Sequence, residues 1–83
     1  MTFDLADLVG LIGSAIMIVA YGYSNIAGRM NFVLFNLLNL VGAGFLIASL
    51  LVHFNFASML LEVVWAAIAL LGLVKALRKR ARA

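Results

Sequence analysis

Residues 32–52 read FVLFNLLNLVGAGFLIASLLV, a stretch that is apolar or small throughout apart from two asparagines and one serine. A helix of ~20 residues rises ~30 Å, which matches the hydrocarbon core of a bilayer. Comparable stretches cover residues 6–27 and 56–77. Transmembrane strands would instead alternate over segments of ~10 residues. The sequence therefore predicts an all-α membrane protein, a three-transmembrane-helix bundle that fills a single domain of residues 1–83.

The composition supports a membrane protein and argues against an enzyme. Hydrophobic residues make up 67% of the chain and charged residues 11%, whereas a soluble domain has ~45–50% and ~25%. The chain contains no cysteine, which excludes disulfides, thiol catalysis and cysteine-based metal sites. No phosphate, dinucleotide or metal motif is present. We therefore expect no catalytic residues, no cofactor and no metal site.

The basic residues predict the orientation. The first loop and the C-terminal end of a three-span chain lie on the same side of the membrane, and all six Lys and Arg residues occupy those two segments. They are Arg29, Lys75, Arg78, Lys79, Arg80 and Arg82. The positive-inside rule makes that side the cytoplasm and places the N-terminus outside. We expect a multi-pass protein of the bacterial inner membrane, whose basic tail, residues 78–83, contacts anionic lipid headgroups through Arg78, Lys79, Arg80 and Arg82.

A few polar side chains within the spans are candidates for a substrate path. Glu62 lies about two turns into the third helix, where a carboxyl usually faces a bundle interior or cavity. A carboxyl that exchanges a proton at this depth suits a proton-coupled carrier, although a hydrogen bond to a neighbouring helix is the structural alternative. Asn36 and Asn39 share one helix face, with Asn39 near the depth of Glu62, and either line the path or join helices. Trp65 and Tyr21 are further path candidates, with core packing and interfacial anchoring as their alternatives.

Small residues predict where helices approach closely. Gly10 and Gly13 in the first span, and Gly42 and Gly44 in the second, would let helix backbones meet.

His53 lies at the outer boundary without a second His or Cys, so we expect a structural or interfacial role. A proton-access role near Glu62 is the alternative.

The chain resembles a widespread group of small, three-span bacterial inner-membrane proteins that are sometimes described as permeases. The resemblance rests on Ala20 and Tyr21 at the end of the first helix, NLLNLVGA at residues 36–43, and EVVW at residues 62–65. More distantly, the length and topology resemble the SemiSWEET and PQ-loop half-transporters. That resemblance implies a parallel homodimer around a substrate path. The Pro-Gln signature of that group is absent, since the chain contains no proline.

These observations leave three functional hypotheses. The first is a permease-like homodimeric half-transporter for a small solute. The second is a non-catalytic accessory or structural subunit that docks onto a larger membrane complex. The third is a lipid-binding protein held by its basic tail. We expect the lipid bilayer and a second copy of the chain as partners, and no nucleic acid, because the chain has no domain that could read one.

Overall fold

The computed structural model describes residues 3–82 and consists of three helices. They are α1 (Leu5–Ile26), α2 (Phe32–Val52) and α3 (Phe56–Arg82). Each is long and apolar enough to cross a membrane. The predicted all-helical, three-span architecture is confirmed, and the chain is a multi-pass membrane protein by the length and composition of these helices.

The third helix differs from the prediction at its C-terminal end. We expected it to end near residue 77, but α3 continues to Arg82. Lys, Arg and Ala, which make up this segment, are strong helix formers. Cationic side chains near a helix C-terminus are also stabilised by the helix dipole. The basic tail is therefore a helical extension of the third span.

Short polar caps begin each helix. Asp4 is the N-cap of α1, and its carboxylate accepts a hydrogen bond from the Asp7 backbone N–H at 2.9 Å. In turn, the Asp7 carboxylate accepts a hydrogen bond from the Asp4 backbone N–H at 3.0 Å, which completes a capping box. Asn31 caps α2, and the Asn55 side chain accepts from a backbone N–H in the first turn of α3 at 3.1 Å. These caps satisfy amides that the helices cannot satisfy internally.

The second helix lies between the other two. It packs against both α1 and α3, whereas α1 and α3 have no Cα atoms within 8 Å of each other in the described part of the chain. The sequence left this order open. Its consequence is an open arrangement, in which one helix provides both internal interfaces.

Glycines bring α1 and α2 together. A Cβ atom at Gly13 would lie 2.8 Å from the Gly42 carbonyl oxygen, and a Cβ at Gly42 would lie 3.0 Å from the Gly13 carbonyl oxygen. A Cβ at Gly10 would meet the side chain of Ser49 at 2.8 Å. The Ser49 hydroxyl in turn donates to the Ala6 carbonyl at 2.7 Å. The two backbones are therefore in direct contact along this interface.

Gly44 has a different environment from these glycines. Within residues 3–82, no atom beyond its own stretch of helix lies within 4 Å of the position that its Cβ would occupy. The structure thus places Gly44 away from both neighbouring helices, on an exposed part of α2. Its predicted packing role could be fulfilled only by contacts outside this chain.

The two ends of the molecule differ in charge. Asp4, Asp7 and His53 lie together at one end, with His53 Nε2 2.8 Å from an Asp4 carboxylate oxygen. At the other end the first loop meets the C-terminal part of α3, where an Arg80 guanidinium nitrogen lies 3.5 Å from Asn31 Oδ1. We refer to them as the acidic end and the basic end.

Candidate functional site

An open groove is lined by residues from all three helices. Its volume is about 510 Å³. The lining residues are Met17, Ile18, Tyr21 and Ser24 of α1, Phe35 and Asn39 of α2, and Trp65 of α3. Since α1 and α3 have no Cα atoms within 8 Å of each other in residues 3–82, they form the walls and α2 forms the floor. We call this feature the aromatic groove.

A hydrogen bond between two of the predicted path residues crosses the floor of this groove. The Trp65 indole N–H donates to Asn39 Oδ1 at 3.0 Å. The Asn39 amide nitrogen donates to the Phe35 carbonyl at 2.8 Å, and Asn39 is only 6% exposed. Both polar ends of the Asn39 side chain are therefore satisfied, as a polar group at membrane depth requires. Trp65 remains half-exposed, so its ring forms part of the groove surface.

Glu62 is buried but lacks a hydrogen-bond partner at one carboxyl oxygen. The residue is 9% exposed, and Oε2 accepts no hydrogen bond within residues 3–82. It precedes Trp65 by one helical turn and Ala69 by two, so it shares their face of α3. Trp65 binds α2 and Ala69 is buried, which places Glu62 on the face toward α2. A buried polar atom without a partner requires an explanation, since most such atoms in proteins are paired.

The other predicted path residues occupy different environments. Tyr21 lines the aromatic groove but is 71% exposed on the open side. Asn36 lies outside this groove, with its amide nitrogen bonded to the Phe32 carbonyl at 2.8 Å. Its side chain packs on Gly72, where a Cβ would collide with it. The structure therefore brings Tyr21, Asn39 and Trp65 together, whereas Asn36 serves the α2–α3 interface nearer the basic end.

A second, larger crevice lies at the basic end. Its volume is about 990 Å³, and it is lined by residues of the first loop, α2 and α3. Its cationic lining residues are Arg29, Lys75, Lys79 and Arg80. We call this feature the basic crevice.

Sequence reasoning missed one cluster of titratable groups at the acidic end. Asp4, Asp7 and His53 could each offer one ligand atom to a metal ion, and these atoms lie within 4.8 Å of one another. One oxygen of each carboxylate is already used in the capping box, and the positive end of the helix dipole opposes a cation there. The signal in the sequence was the spacing of Asp4 and Asp7, which places both on one face of the first turn.

The Asp4 carboxyl is electrostatically stabilised in its charged form. The Asp7 backbone N–H, together with smaller contributions from His53, holds the pKa of Asp4 below its ordinary value of 3.8. The bonds to His53 also connect the beginning of α1 with the loop between α2 and α3. The cluster thus acts as a clasp between two distant parts of the chain.

These features define the class as a small three-span membrane protein with an open, mainly apolar groove lined by all three helices. A protein-family model matches residues 6–80 of the 83-residue chain. The chain therefore belongs to that family, which covers all three spans. No curated protein and no solved structure matches the chain.

Proposed function

We propose that this protein is a permease-like half-transporter, in which two copies enclose a path for a small solute along their aromatic grooves. The observation that carries this proposal is the Trp65–Asn39 pair on the floor of an open groove, one turn from the buried carboxyl of Glu62. Polar groups at this depth usually mark substrate or ion pathways. A second copy placed over the groove would cover the exposed surfaces of Trp65 and Tyr21.

Glu62 is the proton-exchanging residue in this proposal. Its Oε2 is buried and has no hydrogen-bond partner within residues 3–82, so in this proposal it is the oxygen that carries the exchanged proton. The nearby Asn39 and Trp65 satisfy each other and so provide a fixed polar surface rather than a titrating one. The chain then acts as a carrier and not as an enzyme, since this site lacks a nucleophile–base pair.

The proposed orientation places the basic end in the cytoplasm of a bacterium and the acidic end outside. It rests on the positive-inside rule and on the meeting of the first loop with the C-terminal part of α3 at one end. In this orientation Glu62 lies nearer the outer surface than Asn39 does.

Site-directed cross-linking tests the face-to-face assembly. The chain contains no cysteine, so single-cysteine variants report one position each. Ile18 lines the groove and is exposed, and we expect Ile18→Cys to form a disulfide-linked dimer in membranes. Val41 is also exposed but lies about 200° around α2 from the groove residue Asn39. Val41→Cys is the matched control, and cross-linking there instead of at Ile18 would contradict the enclosed path.

Proteoliposomes loaded with a pH-sensitive dye test the transport step. We expect a subset of small polar solutes to drive proton movement in the wild type. Glu62→Gln, which keeps the shape of the side chain, should abolish it without dissociating the dimer. Unchanged proton-coupled uptake in Glu62→Gln would refute the role of this carboxyl.

The second candidate function is an accessory subunit of a larger membrane complex. Large apolar side chains are exposed on every helix, among them Leu5 at 75%, Leu51 at 74% and Phe56 at 72%. Such surface suits lipid or another membrane protein. Native mass spectrometry from lipid nanodiscs separates the two candidates. A homodimer supports the half-transporter, whereas a monomer or a complex with an unrelated subunit supports the accessory role.

A further inference from the structure

We propose that the basic crevice is a binding site for an anionic phospholipid, whose phosphate sits among Arg29, Lys75, Lys79 and Arg80. This inference goes beyond the proposed transport function and does not depend on it. It also goes beyond a general attraction of the basic tail to headgroups, because it assigns the ligand to a defined set of side chains from two elements.

The first argument is the absence of a counter-charge near these cations. The chain has six Lys and Arg residues but three acidic ones. Asp4 and Asp7 lie at the opposite end, and Glu62 is buried within α3. Within residues 3–82 the only close contacts between acidic and basic side chains are those of His53 with Asp4 and Asp7, at the acidic end. No acidic side chain within residues 3–82 therefore neutralises the crevice.

The second argument is the convergence of the cations. Lys75 and Lys79 are one helical turn apart and face the same crevice. Like charges at this spacing repel each other, so an anion between them would relieve an unfavourable contact. Arg29 reaches the same crevice from the first loop. The guanidinium of Arg80 approaches Asn31 Oδ1 at 3.5 Å, which positions it across the crevice.

The third argument identifies the ligand as an amphiphile. Besides the cations, the crevice is lined by apolar side chains, including Phe32, Val33 and Ala76. A phosphate alone would use only the cationic rim, whereas a phospholipid would also cover this apolar surface with glycerol and acyl chain. Its volume of about 990 Å³ admits a headgroup and the first part of a chain.

The depth of the crevice agrees with this ligand. Lys75 is the twentieth residue of α3 counted from Phe56, so it lies ~30 Å from the opposite membrane boundary. This is the level at which lipid phosphates meet the hydrocarbon core. Each cation near an anionic surface contributes about a fivefold change in binding.

The experiment is native mass spectrometry of the full-length protein from phosphatidylcholine nanodiscs that contain a minor fraction of phosphatidylglycerol. We expect phosphatidylglycerol to be retained on the protein in preference to phosphatidylcholine. Arg80→Gln should lower this preference about fivefold, and Lys75→Gln combined with Lys79→Gln should abolish it. Arg78→Gln is the matched control, because it removes the same charge from the same helix but Arg78 does not line the crevice.

Three outcomes would overturn the proposal. One is equal retention of both lipids by the wild type. Another is an equal loss of the preference for phosphatidylglycerol in Arg78→Gln and Arg80→Gln, which would indicate attraction to a diffuse surface charge. The third is displacement of phosphatidylglycerol by inorganic phosphate at a similar concentration, which would identify a site for a free anion. Circular dichroism of each variant verifies that the helices are retained.

Discussion

Trp65 of α3 donates its indole N–H to the Asn39 side chain of α2 at 3.0 Å, across the floor of the aromatic groove. This bond joins two helices at a depth where water does not compete for either group. We expect Trp65→Phe and Asn39→Leu to be coupled in unfolding free energy by ~0.6 kcal/mol, with an upper bound of ~1.7 kcal/mol. A double-mutant cycle measured by detergent-induced unfolding gives this quantity.

The same cycle with Asn36→Leu in place of Asn39→Leu is the control. Asn36 bonds to the Phe32 carbonyl of its own helix and does not reach Trp65, so its coupling to Trp65→Phe should be close to zero. Equal coupling in the two cycles would show that the hydrogen bond does not carry the effect.

The contact between Gly13 and Gly42 predicts a sharp intolerance to added volume. A Cβ at Gly13 would lie 2.8 Å from a backbone oxygen, which cannot move aside as a flexible side chain can. We expect Gly13→Ala to destabilise the bundle by ~1–3 kcal/mol, measured by detergent-induced unfolding. Gly22→Ala in the same helix is the control, because nothing lies within 4 Å of its Cβ position. It should be neutral or slightly stabilising, since alanine favours helix more than glycine does.

The packing of Asn36 on Gly72 predicts a rescue. Gly72→Ala would drive a methyl group into the Asn36 side chain, whose end can partly move aside, so it should destabilise the α2–α3 interface by ~1 kcal/mol, less than Gly13→Ala destabilises the bundle. Combining it with Asn36→Ala removes the obstructing atoms. The double variant should therefore be more stable than Gly72→Ala alone in thermal unfolding monitored by circular dichroism. Additive losses in the double variant would contradict this contact.

The clasp at the acidic end predicts acid sensitivity. Because the folded protein lowers the pKa of Asp4 from 3.8, the folded state binds fewer protons at this carboxyl than the unfolded state does. Its stabilising contribution is complete above pH 3.8 and disappears as the pH falls through the lowered pKa. The melting temperature should therefore fall less in Asp4→Asn than in the wild type when thermal unfolding is measured at decreasing pH from above 3.8 downward. An equal fall of the melting temperature in both proteins would argue against the clasp.

Sequence length and hydropathy were sufficient to predict the three helices, but not the end of the third. Hydropathy ended that helix near residue 77, whereas helix propensity and the dipole carry α3 through the cations to Arg82. The central position of α2 was not predictable either. It depends on the close fit of Gly13 against Gly42, which requires the three-dimensional register of both helices.

Of the residues that line the aromatic groove, the sequence pointed to Tyr21, Asn39 and Trp65, but not to the contacts that they make. The sequence placed Asn39 near the depth of Glu62 and named no partner for either side chain. In the structure the Asn39 oxygen accepts from Trp65, and Glu62 Oε2 stays without a partner in the described chain. Two residues at similar depth can point toward different neighbours, and only the helix rotation decides between them. The clasp required a further fact, namely that the beginning of α1 lies beside the second loop.

The position of α2 between two helices whose described backbones stay more than 8 Å apart has a consequence for assembly during synthesis. Each of its two interfaces joins helices that follow each other directly in the chain. The α1–α2 hairpin can therefore dock as soon as both segments have left the ribosome, and α3 can then add to it without rearranging what is already in place. Neither helix interface of the described chain requires α1 and α3 to associate directly with each other. Substitutions that destabilise the α1–α2 interface and the α2–α3 interface should accordingly have additive effects on the free energy of unfolding.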